Sequence, residues 1–152
     1  MCIFCSIVKG ESPCFKIRED DDFMAFFDIS PNTKGQTIVI PKKHYDSDLF
    51  LIDDGKFYKD YLLAVTEVVN LLKRGLGVKR VSLVMEWMGV NHVHVKLYPL
   101  WWLSEDWKPT IAQQEIYFQQ YEGYLSTQPW PKADMEQLWA LQTQVVNGNA
   151  LN

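Results

Sequence analysis

Asn91-His92-Val93-His94-Val95-Lys96-Leu97-Tyr98 alternates polar and apolar side chains without a break from His92 to Leu97. Successive side chains of a strand point to opposite faces. A strand over His92–Tyr98 therefore puts His92, His94 and Lys96 on one face and Val93, Val95 and Leu97 on the other. The apolar face needs a core to lie against. The polar face lines up two imidazoles and an ammonium, which is either a solvated sheet surface or the floor of a site.

Upstream of this strand, Arg80–Glu86 reads as its neighbour, joined to it around Trp87-Met88-Gly89. Asp53 or Asp54 caps a helix running to about Arg74, with Gly75 and Gly77 just beyond its end. Phe57, Tyr61, Val65, Val68, Val69 and Leu72 recur at helical spacing and form its apolar face. Lys16–Glu19 and Phe23–Phe27 read as two strands around the acidic turn Asp20-Asp21-Asp22. Turn formers fill Asp28–Gly35. Gln36–Ile40 holds the run Thr37-Ile38-Val39-Ile40, too continuous to be half exposed, and is expected as a buried central strand ended by Pro41. Five strands with one main helix inserted before the last pair predict an α+β fold built on a mostly antiparallel sheet.

Downstream, the chain turns aromatic: Trp101-Trp102, Trp107, Tyr117, Phe118, Tyr121, Tyr124 and Trp130. A last helix is expected from about Ala133 to Val146, with Met135, Leu138, Leu141 and Val145 on one face. Residues 1–100 thus read as the main domain. Residues 101–152 read as an aromatic-rich helical extension packed on it.

A length of 152 residues suits one domain with a sizeable core. The net charge of −4, with no basic run, disfavours nucleic acid as a partner, because counterion release needs clustered Lys and Arg. No apolar stretch approaches the roughly 20 residues that span a bilayer. Met1-Cys2-Ile3-Phe4-Cys5 lacks the charged region and long apolar core of a signal peptide. Three cysteines, an odd number, argue against a disulfide framework, so the expected compartment is the cytosol. Cys2 and Cys5 form a C-x-x-C pair that suits zinc ligands, a redox dithiol or two buried small residues. Zinc wants four nitrogen or sulfur ligands, and His44 and His92 are available to complete such a set.

Four segments carry a family likeness. They are Cys2-Ile3-Phe4-Cys5-Ser6-Ile7-Val8-Lys9-Gly10-Glu11-Ser12-Pro13, Ala25-Phe26-Phe27-Asp28-Ile29-Ser30-Pro31, Gly35-Gln36-Thr37-Ile38-Val39-Ile40-Pro41-Lys42-Lys43-His44 and His92-Val93-His94-Val95. In order and spacing they resemble the histidine-triad (HIT) proteins, of the bacterial type with an N-terminal C-x-x-C zinc site. The likeness runs from Cys2 to about Pro99 and leaves the extension uncovered.

The resemblance implies a HIT-like nucleotide-binding domain, homodimeric through the main helix and a shared sheet, whose partner is a small nucleoside phosphate. It implies a structural zinc on Cys2, Cys5, His44 and His92. It makes His94 the nucleophile, attacking an α-phosphorus through a nucleotidyl-histidine intermediate. Asp28 falls where the family accepts hydrogen bonds from the ribose, and Phe4, Ile7, Phe26 and Ile29 fall around the base. Lys96 stands in place of the third triad histidine; it keeps a cation for phosphate but is a poor proton shuttle at neutral pH. Glu86-Trp87-Met88-Gly89-Val90-Asn91 replaces the family's usual phosphate-donor segment, and its Asn91 joins the nucleotide-binding set. Two functions follow from this: a nucleotide hydrolase or nucleotidyl transferase, or a zinc-stabilised nucleotide-binding module with little catalysis because of Lys96.

Overall fold

A computed structural model of the chain describes residues 2–85, 88–125 and 134–136. It divides into two compact units, Met1–Asp106 and Trp107–Asn152. In the first, a short helix α1 (Ile3–Val8) precedes β1 (Phe15–Glu19), β2 (Phe23–Phe27) and β3 (Thr37–Pro41). The long helix α2 (Gly55–Leu76) follows, then β4 (Arg80–Val84) and β5 (Val95–Leu100). The strands form one sheet in the order β1-β2-β3-β5-β4, every neighbouring pair antiparallel. This is the expected five-stranded sheet with a single main helix.

β3 occupies the centre because all five of its residues are buried. Its alternate side chains enter two different cores. Val39 joins Phe23, Ala25, Val95 and Leu97 under α2, while Ile38 and Ile40 join Met24 and Phe26 against Phe4 of α1. From α2 the first core takes Phe57, Tyr61, Ala64, Val65, Val68 and Leu72, one face at helical spacing. The Tyr61 hydroxyl is buried there and donates to the Val39 carbonyl at 2.7 Å, tying helix to strand.

Asp54 caps α2 by accepting from the amides of Lys56 and Phe57 at 2.9 and 3.1 Å. Gly77, left-handed at φ 68°, ends it, so Gly75 lies inside the helix rather than beyond it. At Gly35 the backbone is again left-handed, φ 83°, and a Cβ there would fall 2.5 Å from Leu76 Cδ1, which closes the loop 28–36 against the end of α2.

The last strand starts later than the alternation predicts, at Val95 instead of His92. The preceding backbone is bonded elsewhere: the His92 amide donates to the Val90 carbonyl at 2.8 Å and the Val93 amide to the Tyr45 carbonyl at 3.4 Å. The alternation itself persists, since Val93 joins Val95 and Leu97 in the α2 core. β4 likewise stops at Val84, two residues before the expected end. In the second unit, residues 107–125 contain no helix or strand, and Phe118 meets Tyr124 edge-on at 5.2 Å. The helix expected over 133–146 lies, apart from 134–136, outside the described residues.

Candidate functional site

Two neighbouring sites share α1. Cys2 immediately precedes the helix and Cys5 lies one turn on, so both sulfurs reach the same side, while Phe4 and Ile7 point to another. His44 arrives from the loop after β3 and His92 from the approach to β5. Cys2 Sγ lies 3.4 Å from His92 Nδ1. Cys5 Sγ lies 3.3 Å from His44 Nδ1 and 3.7 Å from His92 Nδ1. The two Nδ1 atoms are 3.3 Å apart. Ligand atoms at ordinary zinc distances on a tetrahedron are separated by about 3.3–3.8 Å, so these spacings are edges of such a coordination shell.

All four ligand atoms lie within 4.8 Å of one another, and the set is able to hold a metal ion. His92 is prepared for that role. Its Nε2 is 2.9 Å from the Pro41 carbonyl, which only accepts, so Nε2 carries the proton and Nδ1 the lone pair. Burial pushes its pKa down, against the Pro41 carbonyl, which favours the charged ring, and with His44 and His94 adding to the lowering. Burial and the adjacent Cys2 push the Cys5 thiol up; a cation between the sulfurs would reverse that.

On the other side of α1 lies a cavity of about 500 Å³. His94 and Lys96 line it from the β5 side, Phe4 and Ile7 from α1, and Phe26, Asp28 and Ile29 from β2 and the loop after it. His94 is 2 % exposed, and its Nδ1 sits 2.7 Å from the His92 carbonyl. That oxygen only accepts, so Nδ1 donates and the lone pair resides on Nε2. The Phe4 ring packs edge-on against both His92 and His94, at 5.7 and 5.3 Å, and links the two sites. Asp28 is half-buried; its Oδ1 accepts from the Ser30 amide at 2.8 Å and its Oδ2 from Gln36 Nε2 at 2.7 Å.

Seven of the eight residues expected around a nucleotide, His94 and Lys96 included, thus meet in one cavity. Asn91 does not. It borders the adjoining cavity with Cys2, Ile3 and His44, and its Oδ1 accepts from the Ser47 amide at 2.8 Å. Ser12, Pro13, Cys14, Ile38 and Val90 join the wall without having been singled out, because their places depend on how α1 and its loop lie over the sheet. Gln36 and the Pro41 carbonyl were also missed; within the sequence they look like the two ends of a strand.

The HIT domain, as a family, matches residues 9–99. The chain belongs to the HIT family. An uncharacterized HIT-like protein of Methanocaldococcus jannaschii is 38% identical over 104 residues, covering 65% of this chain and 78% of that protein. An adenosine 5′-monophosphoramidase of Schizosaccharomyces pombe is 32% identical over 103 residues, 64% of this chain and 73% of its own. Among solved structures, a HIT family protein from Bacillus anthracis superposes with a TM-score of 0.64 at 26% identity, covering 98% of this chain and 97% of that one. Among the described residues of this HIT chain, no helix is long and apolar enough to cross a membrane.

Proposed function

We propose that this HIT protein is a nucleotide hydrolase or nucleotidyl transferase that cleaves at the α-phosphate of a nucleoside phosphate derivative, with His94 as nucleophile. The observation that carries the reading is the 2.7 Å contact of His94 Nδ1 with the His92 carbonyl, in a cavity that also holds a cation and a carboxylate. The base lies between Phe4, Ile7, Phe26 and Ile29, and the ribose hydroxyls donate to Asp28. The Nε2 lone pair attacks the α-phosphorus as the bond to the leaving oxygen or nitrogen breaks, and the leaving group departs with that electron pair and gains a proton from solvent. The Nδ1 proton stays on the ring and continues to donate to the His92 carbonyl, which stabilises the cationic nucleotidyl-histidine. Water then forms the new P–O bond and releases a proton to solvent, the P–N bond breaks with its electron pair returning to Nε2, and the ring returns to neutral. Lys96 stabilises negative charge on the phosphoryl oxygens.

Cys2, Cys5, His44 and His92 would hold a zinc ion, which would supply a cross-link rather than reactive chemistry, since four protein ligands close a tetrahedron. The fission-yeast relative's name makes adenosine 5′-phosphoramidate the first substrate to try, with dinucleoside polyphosphates beside it. The active form is a homodimer; Leu62, Leu63 and Leu83 are left exposed on α2 and β4. Quenching the protein during turnover should leave a nucleotidyl group on His94, located by peptide mass spectrometry. Absence of any adduct, together with equal residual rates for wild type and His94→Ala on every substrate, would leave the second reading: a nucleotide-binding module in which lysine at position 96 has ended turnover.

A further inference from the structure

Gln36 is 5 % exposed and is pinned at four points. Its backbone carbonyl accepts from the Asp28 amide at 3.0 Å, and its own amide donates to the Thr33 carbonyl at 3.0 Å. Its side-chain Oε1 accepts from the Asn32 amide at 2.9 Å. That last contact fixes which end of the carboxamide is which, because a backbone N–H only donates. Nε2 is therefore the atom presented to Asp28 Oδ2, at 2.7 Å.

An ionised carboxylate offers about four lone-pair positions. At Asp28 the Ser30 amide takes one on Oδ1 and Gln36 takes one on Oδ2. One position remains on each oxygen, which matches the two neighbouring hydroxyls of a ribose. Without the second contact the carboxylate would be held by Ser30 alone, as an ordinary loop turn, and would be free to rotate about its Cβ–Cγ bond.

We propose that Gln36 is a positioning residue for ribose recognition: by fixing the plane of the Asp28 carboxylate it sets the preference of the pocket for a vicinal diol. The inference rests on the reading of Asp28 given above. Orienting an acceptor in advance removes the ordering cost at the moment of binding, so its loss appears in the selectivity between sugars rather than in the chemical step.

The test compares AMP with its 2′,3′-dideoxy analogue by calorimetric titration. Wild type is expected to bind AMP at least about tenfold tighter, as two hydrogen bonds to a charged acceptor warrant. Gln36→Met removes the donor at nearly constant volume and should shrink the ratio to about threefold or less, with kcat on any substrate moving less than KM. Gln36→Glu keeps an acceptor for Asn32, loses the donor to Asp28, and should shrink the ratio as well. On the wild-type protein, the Gln36 side-chain amide resonances should move with AMP and stay nearly in place with the dideoxy analogue, a readout that depends on no variant. A ratio left intact by both substitutions, or amide resonances that move equally with both ligands, overturns the inference. A wild type indifferent to the sugar hydroxyls fails at the Asp28 reading instead, and Gln36 falls with it.

Discussion

On one face of the sheet the 22 residues of α2 lay a continuous apolar stripe over Phe23, Ala25, Val39, Val95 and Leu97. On the other, the six residues of α1 cover Phe26, Ile38 and Ile40 only in part and leave a cavity of about 500 Å³. The thick cover closes a core, and the thin one leaves room for a ligand. A helix of six residues is far below the length at which helices hold themselves in water, so α1 depends on what it touches. Its contacts include the packing of Phe4, Ile7 and Val8 on the sheet and the two cysteines at the candidate metal cluster. The difference separates stability from function by face, and each face can be attacked alone.

The largest effect is expected on the thin face. His94→Ala should lower turnover by at least about a thousandfold while changing AMP affinity less than about tenfold, because the proposed base and ribose contacts lie elsewhere. Single-turnover kinetics and titration together check both halves. Leu72→Ala on the thick face should do the opposite: cost about 2–5 kcal/mol in denaturant unfolding and leave kcat and KM of the folded protein unchanged. If Leu72→Ala altered KM substantially, the separation of the two faces would collapse.

Lys96→Ala should reduce the rate by about 10–1000-fold, the range for one lost electrostatic donor beside a transferring group. Lys96→His should retain or raise activity toward leaving groups that need a proton. Removal of the proposed metal by a chelator, or Cys5→Ser, should loosen α1 and with it Phe4 and Ile7. The melting temperature should fall by several degrees and AMP affinity should drop in parallel. By linkage, AMP should then tighten metal binding by the same factor, which equilibrium competition against a chromophoric chelator reads directly. Metal release with unchanged AMP affinity would show that α1 stays in place unaided.

The smallest effect belongs to β1, away from both faces. Hydrogen bonds from Lys16 and Lys42 hold the Glu19 carboxyl below the usual glutamate range. A lowered folded-state pKa adds stability above the unfolded-state value, and that stability is lost as pH falls through the lowered one. Glu19→Gln should therefore melt about a degree lower at most at neutral pH, and the gap should vanish on acidification below pH ~4.

How much of this could be read beforehand follows the same division. The stripe on α2, an aspartate cap at 53 or 54, a glycine stop near its end and the buried run of β3 were legible because they depend on neighbours in sequence; the choice of Asp54, and of Gly77 over Gly75, was not. α1 was not: one and a half turns carry no periodicity, and the helix exists through contacts with distant residues. The polar face of His92, His94 and Lys96 was legible from alternation, although His92 and His94 precede the strand proper. Bringing Cys2 and Cys5 to His44 and His92 needed the family resemblance. Gln36 reads in sequence as the first residue of a strand, and only the closure of the loop 28–36 aims it at Asp28. Asn91, promising as a polar residue beside a histidine, is turned to Ser47 by the loop it ends.

β3 is paired on both edges, with β2 and β5, and covered on both sides by the two cores. Its amide hydrogens therefore have no route to deuterium through fraying or local opening. They should exchange last in the chain, on a timescale set by global unfolding, while α1 exchanges early. With the metal and a nucleotide bound, α1 amides should slow and those of Val39 and Ile40 should slow only as far as overall stability rises. The central strand is thus an internal clock against which tightening of the pocket wall can be timed.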